Sequence, residues 1–167
     1  MNSMRRPFIA KVILSAGATG NDLVKAQKLL EIIAKRKAQI IKAGAKQRIP
    51  ELGVKPGLEL GTRITLRGRE AMVLLNKLLG AVENKLSRSS IAENHFSFGI
   101  EEYIDIPDME YVREIGIRGF NVTVVFERHG LRVKHKKIKR GRIPARQRIK
   151  PEEVIQVMED TFKTKFE

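Results

Sequence analysis

The 167-residue sequence contains no cysteine. That excludes disulfides, thiolate zinc sites and cysteine nucleophiles, and it suits a reducing compartment. No apolar run approaches the ~20 residues of a membrane span. Arg5 and Arg6 precede a short apolar run, but Lys11 interrupts it, which does not fit a secretory signal. The expectation is a soluble intracellular protein with no membrane partner. Catalytic groups are scarce as well. The only histidines are His95, His129 and His135. The last two lie among cations, which disfavour a protonated imidazole or a bound metal. No His-Glu-x-x-His or Gly-x-Ser-x-Gly pattern occurs. No catalytic residue, metal or cofactor is expected.

One further absence is local. Between Arg128 and Lys150 there is no Asp or Glu, while eleven residues are Lys or Arg. The whole chain has 33 cations, 19 acids and a net charge of +14. Taking those eleven away leaves 22 cations against 19 acids, close to balance. Like charges at this density repel unless an anion lies alongside. A polyphosphate backbone is the natural counterpart, because each neutralised phosphate releases condensed counterions. A solvated basic loop is the plainer alternative. The near-neutral remainder of the chain favours a nucleic-acid-binding arm over 128–150. Its candidate contacts are Arg132, Lys134, Lys136, Lys137, Lys139, Arg140, Arg142, Arg146 and Arg148.

A chain of this length reads as one domain, 1–167, able to bury about 70% of its unfolded surface. Its 42% hydrophobic content is enough to fill that core. Residues 8–14 read as a strand that enters S-A-G-A-T-G at 15–20. Asn21 or Thr19 can then cap a helix over 22–36, with Leu23, Ala26, Leu30 and Ile33 at helical spacing. A Gly-containing turn between strand and helix can cradle a phosphate, but this one lacks the G-x-x-x-x-G-K-S/T pattern. Two glycines relieving a tight turn is the simpler reading. A second strand is expected over 38–43. Residues 44–58 hold three Gly and two Pro with Lys46, Arg48 and Lys55 between them, and read as a long exposed loop.

Residues 59–67 alternate, with Leu60, Ile64 and Leu66 on one face and Arg63, Thr65 and Arg67 on the other. A helix over 69–86 carries a buried stripe of Met72, Leu75, Leu78, Leu79 and Val82. A loop begins at Arg88, Ser89 and Ser90. In 95–100, Phe96, Phe98 and Ile100 face inward and His95 and Ser97 outward. Residues 101–114 hold six acids and one Arg. Without Asp-x-Asp-x-Asp-Gly spacing they read as a solvated surface or a strip for a basic protein partner. The clearest strand is 119–127, with Phe120, Val122, Val124 and Phe126 inward and Asn121 and Thr123 outward. Beyond the arm, Pro151 suits a first helical position and Glu152 and Glu153 suit the positive helix end. Val154, Ile155, Met158 and Phe162 give that last helix an apolar face.

Most strands are joined directly and two helices separate them. That predicts an α+β fold: a mostly antiparallel sheet with helices packed on one face, plus a basic extended arm. The other face gathers Lys11, Arg63, Thr65, Arg67, His95, Ser97, Asn121 and Thr123. These donate well to phosphate and ribose oxygens, and none is Phe, Tyr or Trp. A face without Phe, Tyr or Trp cannot stack unpaired bases as an RNA-recognition-motif sheet does, so it should read the shape and backbone of folded or double-helical RNA.

T-R-I-T-L-R-G at 62–68, F-S-F-G-I-E-E-Y-I-D-I-P at 96–107 and I-G-I-R-G-F-N-V-T-V at 115–124 resemble the family of large-subunit ribosomal proteins numbered five in the universal series. The resemblance runs from Phe8 to the last helix, and the E-E-Y-I-D-I-P form and basic arm are similar to the archaeal and eukaryotic branch. It implies a structural component of the ribosome, in the cytoplasm, with no catalysis or cofactor. Its polar sheet face and adjoining turns would hold 5S ribosomal RNA in the central protuberance, alongside large-subunit ribosomal RNA. Here those turns bring Thr19, Asn21, Arg88, Ser89 and Ser90 into the candidate set. The 44–58 loop would reach the P-site tRNA through Lys46, Gln47, Arg48 and Lys55. The acidic segment would lie near a small-subunit protein, so neighbouring ribosomal proteins of both subunits are implied partners. The first turn departs from the family's G-V-G-E-S-G, and Arg63 stands where the family often has Lys. Two other classes compete: a DNA-compacting basic protein, which shares the charge, and a nucleotide-using enzyme, which would need the 15–20 turn to bind phosphate.

Overall fold

The computed structural model describes residues 3–166. In chain order the strands and helices are β1 (Phe8–Gly17), α1 (Asn21–Ala34), β2 (Gln39–Lys42), β3 (Glu59–Leu66), α2 (Arg69–Ala81), β4 (Lys85–Leu86), β5 (Ile91–Ala92), β6 (His95–Ile100), β7 (Phe120–Glu127), α3 (Arg132–His135), α4 (Pro151–Phe162) and β8 (Lys165–Phe166). Six strands form one mostly antiparallel sheet in the order β2-β3-β1-β7-β6-β5. A separate parallel pair joins β4 to β8. The fold is α+β, as the mixture of directly joined strands and amphipathic helices predicts.

The chain divides into two compact units, interleaved in sequence. One comprises Ile13–Leu66 and Gly99–Val122. In it α1 lies against β3 through a stripe of Leu23, Ala26, Leu29, Leu30 and Ile33, all buried. Gly61 is required by close packing: a Cβ there would stand 2.7 Å from the Ala16 carbonyl oxygen. The other unit comprises Met1–Val12, Arg67–Phe98 and Thr123–Glu167. Its core includes Phe96, Phe98, Val124 and Phe126 from strands and Leu75, Leu78, Leu79, Val154 and Met158 from helices. Phe96 sits 6.0 Å from Phe98 and 5.9 Å from Phe126, ring centre to ring centre, within the range of favourable aromatic pairs.

Several local expectations need correction. Neither Asn21 nor Thr19 caps α1. Gly20, at φ +61°, occupies the cap with no side-chain hydrogen bond, and Asn21 is the first helical residue. Gly68, at φ +69°, opens α2 the same way, a conformation that glycine adopts without strain. The helix predicted over 69–86 stops at Ala81. Glu83 and Asn84 take positive φ, and the N–H groups of Val82 and Asn84 both donate to the Leu79 carbonyl, turning the chain into β4. The segment over 44–58 has structure of its own. Ile49 and Val54 exchange backbone hydrogen bonds of 3.1 and 3.0 Å around a 3-10 turn at Pro50–Leu52, and Ala43 bonds to both Gly57 and Leu58 at its base. The acidic segment also has a turn of its own. Tyr103, fully buried, starts a 3-10 turn, and its hydroxyl accepts the Val112 N–H at 2.9 Å.

Candidate nucleic-acid interface

Strand alternation sets the outer face. On β7, Phe120, Val122, Val124 and Phe126 are buried, while Asn121 is exposed and Thr123 and Val125 are half-buried. On β3, Ile64 and Leu66 are buried, Arg63 is exposed and Thr65 half-buried; Arg67 is exposed just past the strand end. His95 is exposed and Ser97 half-buried on β6, and Lys11 is half-buried on β1. Every candidate from these strands therefore reaches solvent. Ile13 and Val125 share those outward positions, half-buried, and were not in the candidate set. The period-two pattern that placed Lys11 and Thr123 could have found them.

Within the unit formed by Ile13–Leu66 and Gly99–Val122, Arg63 is aimed by Gln39, whose Oε1 accepts the Arg63 Nε–H at 3.2 Å. The β2–β3 register sets Gln39 directly opposite Arg63, so the pair follows from strand pairing. The remaining guanidinium N–H groups are free to point outward. Thr19 and Asn21 are exposed at the start of α1. Lys46, Gln47, Arg48 and Lys55 are exposed on the bridged hairpin, although the Gln47 side chain turns back to accept the Gly44 N–H at 2.9 Å. Exposed acids line the other loop of this unit. Glu114 pairs with Lys28 at 3.1 Å, and Asp22 pairs with Arg118.

In the other unit, Arg88, Ser89 and Ser90 form a 3-10 turn. The Ser90 hydroxyl donates to the Ser87 carbonyl at 2.7 Å, and the Ser87 and Ser89 hydroxyls lie 2.8 Å apart. These serines shape the turn and leave Arg88 as its exposed cation. Nδ1 of His95 lies 3.1 Å from the Glu93 carbonyl.

The basic segment is tied down at both ends. Arg128 is only 12% exposed and pairs with Glu153. The same carboxylate oxygen accepts the backbone N–H of Lys150 at 3.1 Å. One side chain of α4 therefore holds the first and last residues of the 128–150 stretch. Ile149 is 1% exposed, its N–H donates to Asn94 Oδ1 at 2.9 Å, and Arg148 pairs with Glu93 at 3.2 Å. The His129 ring stacks on Phe8 at 4.8 Å. Between these anchors, Arg132, Lys134, Lys136, Lys137, Lys139, Arg140, Arg142 and Arg146 are all exposed. Arg140 donates to the Lys136 carbonyl and braces the segment internally. Charge density located the cations. It could not locate the anchors, because Asn94 and Glu93 lie far away in sequence.

A charge-balanced body, a polar outer face without Phe, Tyr or Trp and one closed, strongly cationic loop define a scaffold protein that binds a polyanion. The comparisons narrow that class. Residues 59–147, just over half of the chain, match the C-terminus of the ribosomal L5 protein family. The chain is 34% identical over 170 residues to the large ribosomal subunit protein uL5 of Methanosphaera stadtmanae, covering 100% of both chains. It is 41% identical to uL5 of Nanoarchaeum equitans over 155 residues, covering 91% of this chain and 90% of that one. To uL5 of Archaeoglobus fulgidus it is 37% identical over 160 residues, covering 95% and 89%. The chain belongs to the ribosomal L5 protein family, in its archaeal type. It is a ribosomal protein, a structural component and not an enzyme.

Proposed function

We propose that the chain is a structural constituent of the large ribosomal subunit that holds 5S ribosomal RNA in the central protuberance. The observation that carries this reading is the pairing of an exposed polar sheet face without Phe, Tyr or Trp with a cationic loop anchored at both ends, in a chain of this family. Such a surface neutralises phosphates and follows the shape of an RNA fold. The 44–58 hairpin, with Lys46, Arg48 and Lys55 exposed, faces the P-site tRNA in this reading, and the exposed acids around Glu110 face a protein of the small subunit. The contact surface is tested through Arg63 and Arg67. Replacing both by Ala should weaken 5S ribosomal RNA binding and flatten its log–log salt dependence by about 0.7–0.9 per lost phosphate contact. An unchanged slope and affinity would remove the two arginines from the interface.

A further inference from the structure

The cationic loop does more than cover the surface with charge. Where it folds back beside β7 it encloses a cavity of about 430 Å³. One wall is apolar: Val125 and Phe126 from β7, with Leu131 and Ile143 from the loop. The charged lining is Glu127 with Arg128, Lys134, Arg142 and Arg148; Arg128 and Arg148 already pair with Glu153 and Glu93, which leaves Lys134 and Arg142 to meet an added anion. Asn94 also lines it. Asn94 Oδ1 already accepts the Ile149 N–H, so its amide nitrogen is the group left to donate. Val125 shares its strand face with Thr123 while Phe126 belongs to the buried face, so the cavity lies at the C-terminal end of β7.

This combination is unusual for either simple explanation. A pocket for phosphate alone needs no aliphatic wall, and an ordinary packing defect in a core would not carry exposed cations such as Lys134 and Arg142. One ligand has both characters: a flat heteroaromatic ring carried on a phosphodiester backbone. The volume lies within the range of small-molecule pockets and comfortably holds a nucleobase. We propose that this cavity receives an unstacked nucleobase of the bound ribosomal RNA, with the flanking phosphates on Lys134 and Arg142. The proposal rests on the RNA-binding reading above and adds a site to it. The outer sheet face offers a base no Phe, Tyr or Trp, only the exposed His95 imidazole, and the cavity adds an apolar-walled place for one. Entry is available from the loop side. The N–H groups of Lys134, Lys136 and Gly141 bond only within the loop, so Leu131 and Ile143 can move aside without breaking the sheet.

The experiment fills the cavity. Leu131→Trp and, separately, Ile143→Trp place an indole in the space from two different positions. Thermal unfolding first establishes that each variant is folded; with two variants, loss of one to misfolding leaves the other decisive. Affinity is then measured for 5S ribosomal RNA and for a fully paired RNA duplex of similar length, across a salt series. Filling should weaken 5S ribosomal RNA binding roughly tenfold, the scale of one lost base contact. It should leave the salt slope and the duplex affinity unchanged. Equal loss on both RNAs, or no loss on either, would overturn the base pocket. Failure of the unmodified chain to prefer 5S ribosomal RNA over the duplex would instead count against the parent reading, and the base pocket would fall with it.

Discussion

Glu31 shows how a single side chain fixes local geometry. Its Oε1 accepts the Ala38 N–H at 3.0 Å and the Gln27 amide at 3.1 Å, so the end of α1 is tied to the approach to β2. Those two hydrogen bonds, with Lys37 nearby, hold its carboxyl below the usual carboxylate value of 4.5. A group whose pKa is lowered by folding stabilises the fold above its unfolded value and loses that stabilisation as pH falls through the folded one. Relative to Glu31→Gln, the wild type should therefore be more stable above about pH 4.5 and lose that advantage below it. The difference should be at most about 1 kcal/mol, since solvent reaches the carboxylate. Paired urea titrations over pH 3 to 7 check it; an advantage that grew on acidification would contradict the assignment. None of this was legible in the sequence, where Glu31 is one more polar residue in an amphipathic helix. Arg63 was legible as an outward cation, but not its alignment by Gln39, which needs the strand register. Thr19 and Asn21 misled because Ser, Thr and Asn favour helix caps, while here positive-φ glycines turn the chain into both α1 and α2.

At the level of elements, strands with strict alternation read correctly from sequence, because one buried face leaves only one register for each side chain. The two-residue strands β4, β5 and β8 did not, being too short to carry a period. The hairpin bridge at Ile49 and Val54 was hidden inside a Gly/Pro-rich stretch that resembles open loop. Shortening this hairpin between Gly44 and Gly57 should leave the fold and 5S ribosomal RNA affinity intact while lowering P-site tRNA retention in assembled ribosomes. Loss of 5S binding would contradict that division. The basic loop divides differently. Ile138 is 75% exposed and Val133 41%, so little apolar burial offsets the ~1–2 kcal/mol of backbone entropy per ordered residue. Its anchors, by contrast, sit on buried Ile149 and on Arg128. Hydrogen exchange without RNA should show fast exchange across 132–147 and slow exchange at Phe126 and Ile149, whose N–H groups both bond to Asn94. Glu153→Gln weakens the latch to Arg128 and should speed exchange at Lys150. Uniform slow exchange from 128 to 150 would show instead that the whole loop is a folded part of the protein.

For the whole molecule, the distribution of charge matters more than its total. Most of the +14 resides in a 23-residue loop, and the remainder is nearly balanced. The body can therefore fold without strong self-repulsion while the loop and sheet face supply a concentrated field for a polyanion. The partner class was readable from this asymmetry alone, and the family from its strand motifs; the way the loop closes on Glu153 and encloses a cavity depends on tertiary contacts that no local pattern encodes. Charge by itself would bind any nucleic acid. The claim that this surface is shaped for one ribosomal RNA is what separates a ribosomal scaffold from a general DNA-compacting protein. The most direct measurement is a competition titration of the full chain between 5S ribosomal RNA and duplex DNA of equal charge at about 0.15 M salt, near physiological screening. The account predicts a preference for the RNA of at least about a thousandfold, the lower end of specific over non-specific recognition. Equal affinities with equal salt slopes would contradict it.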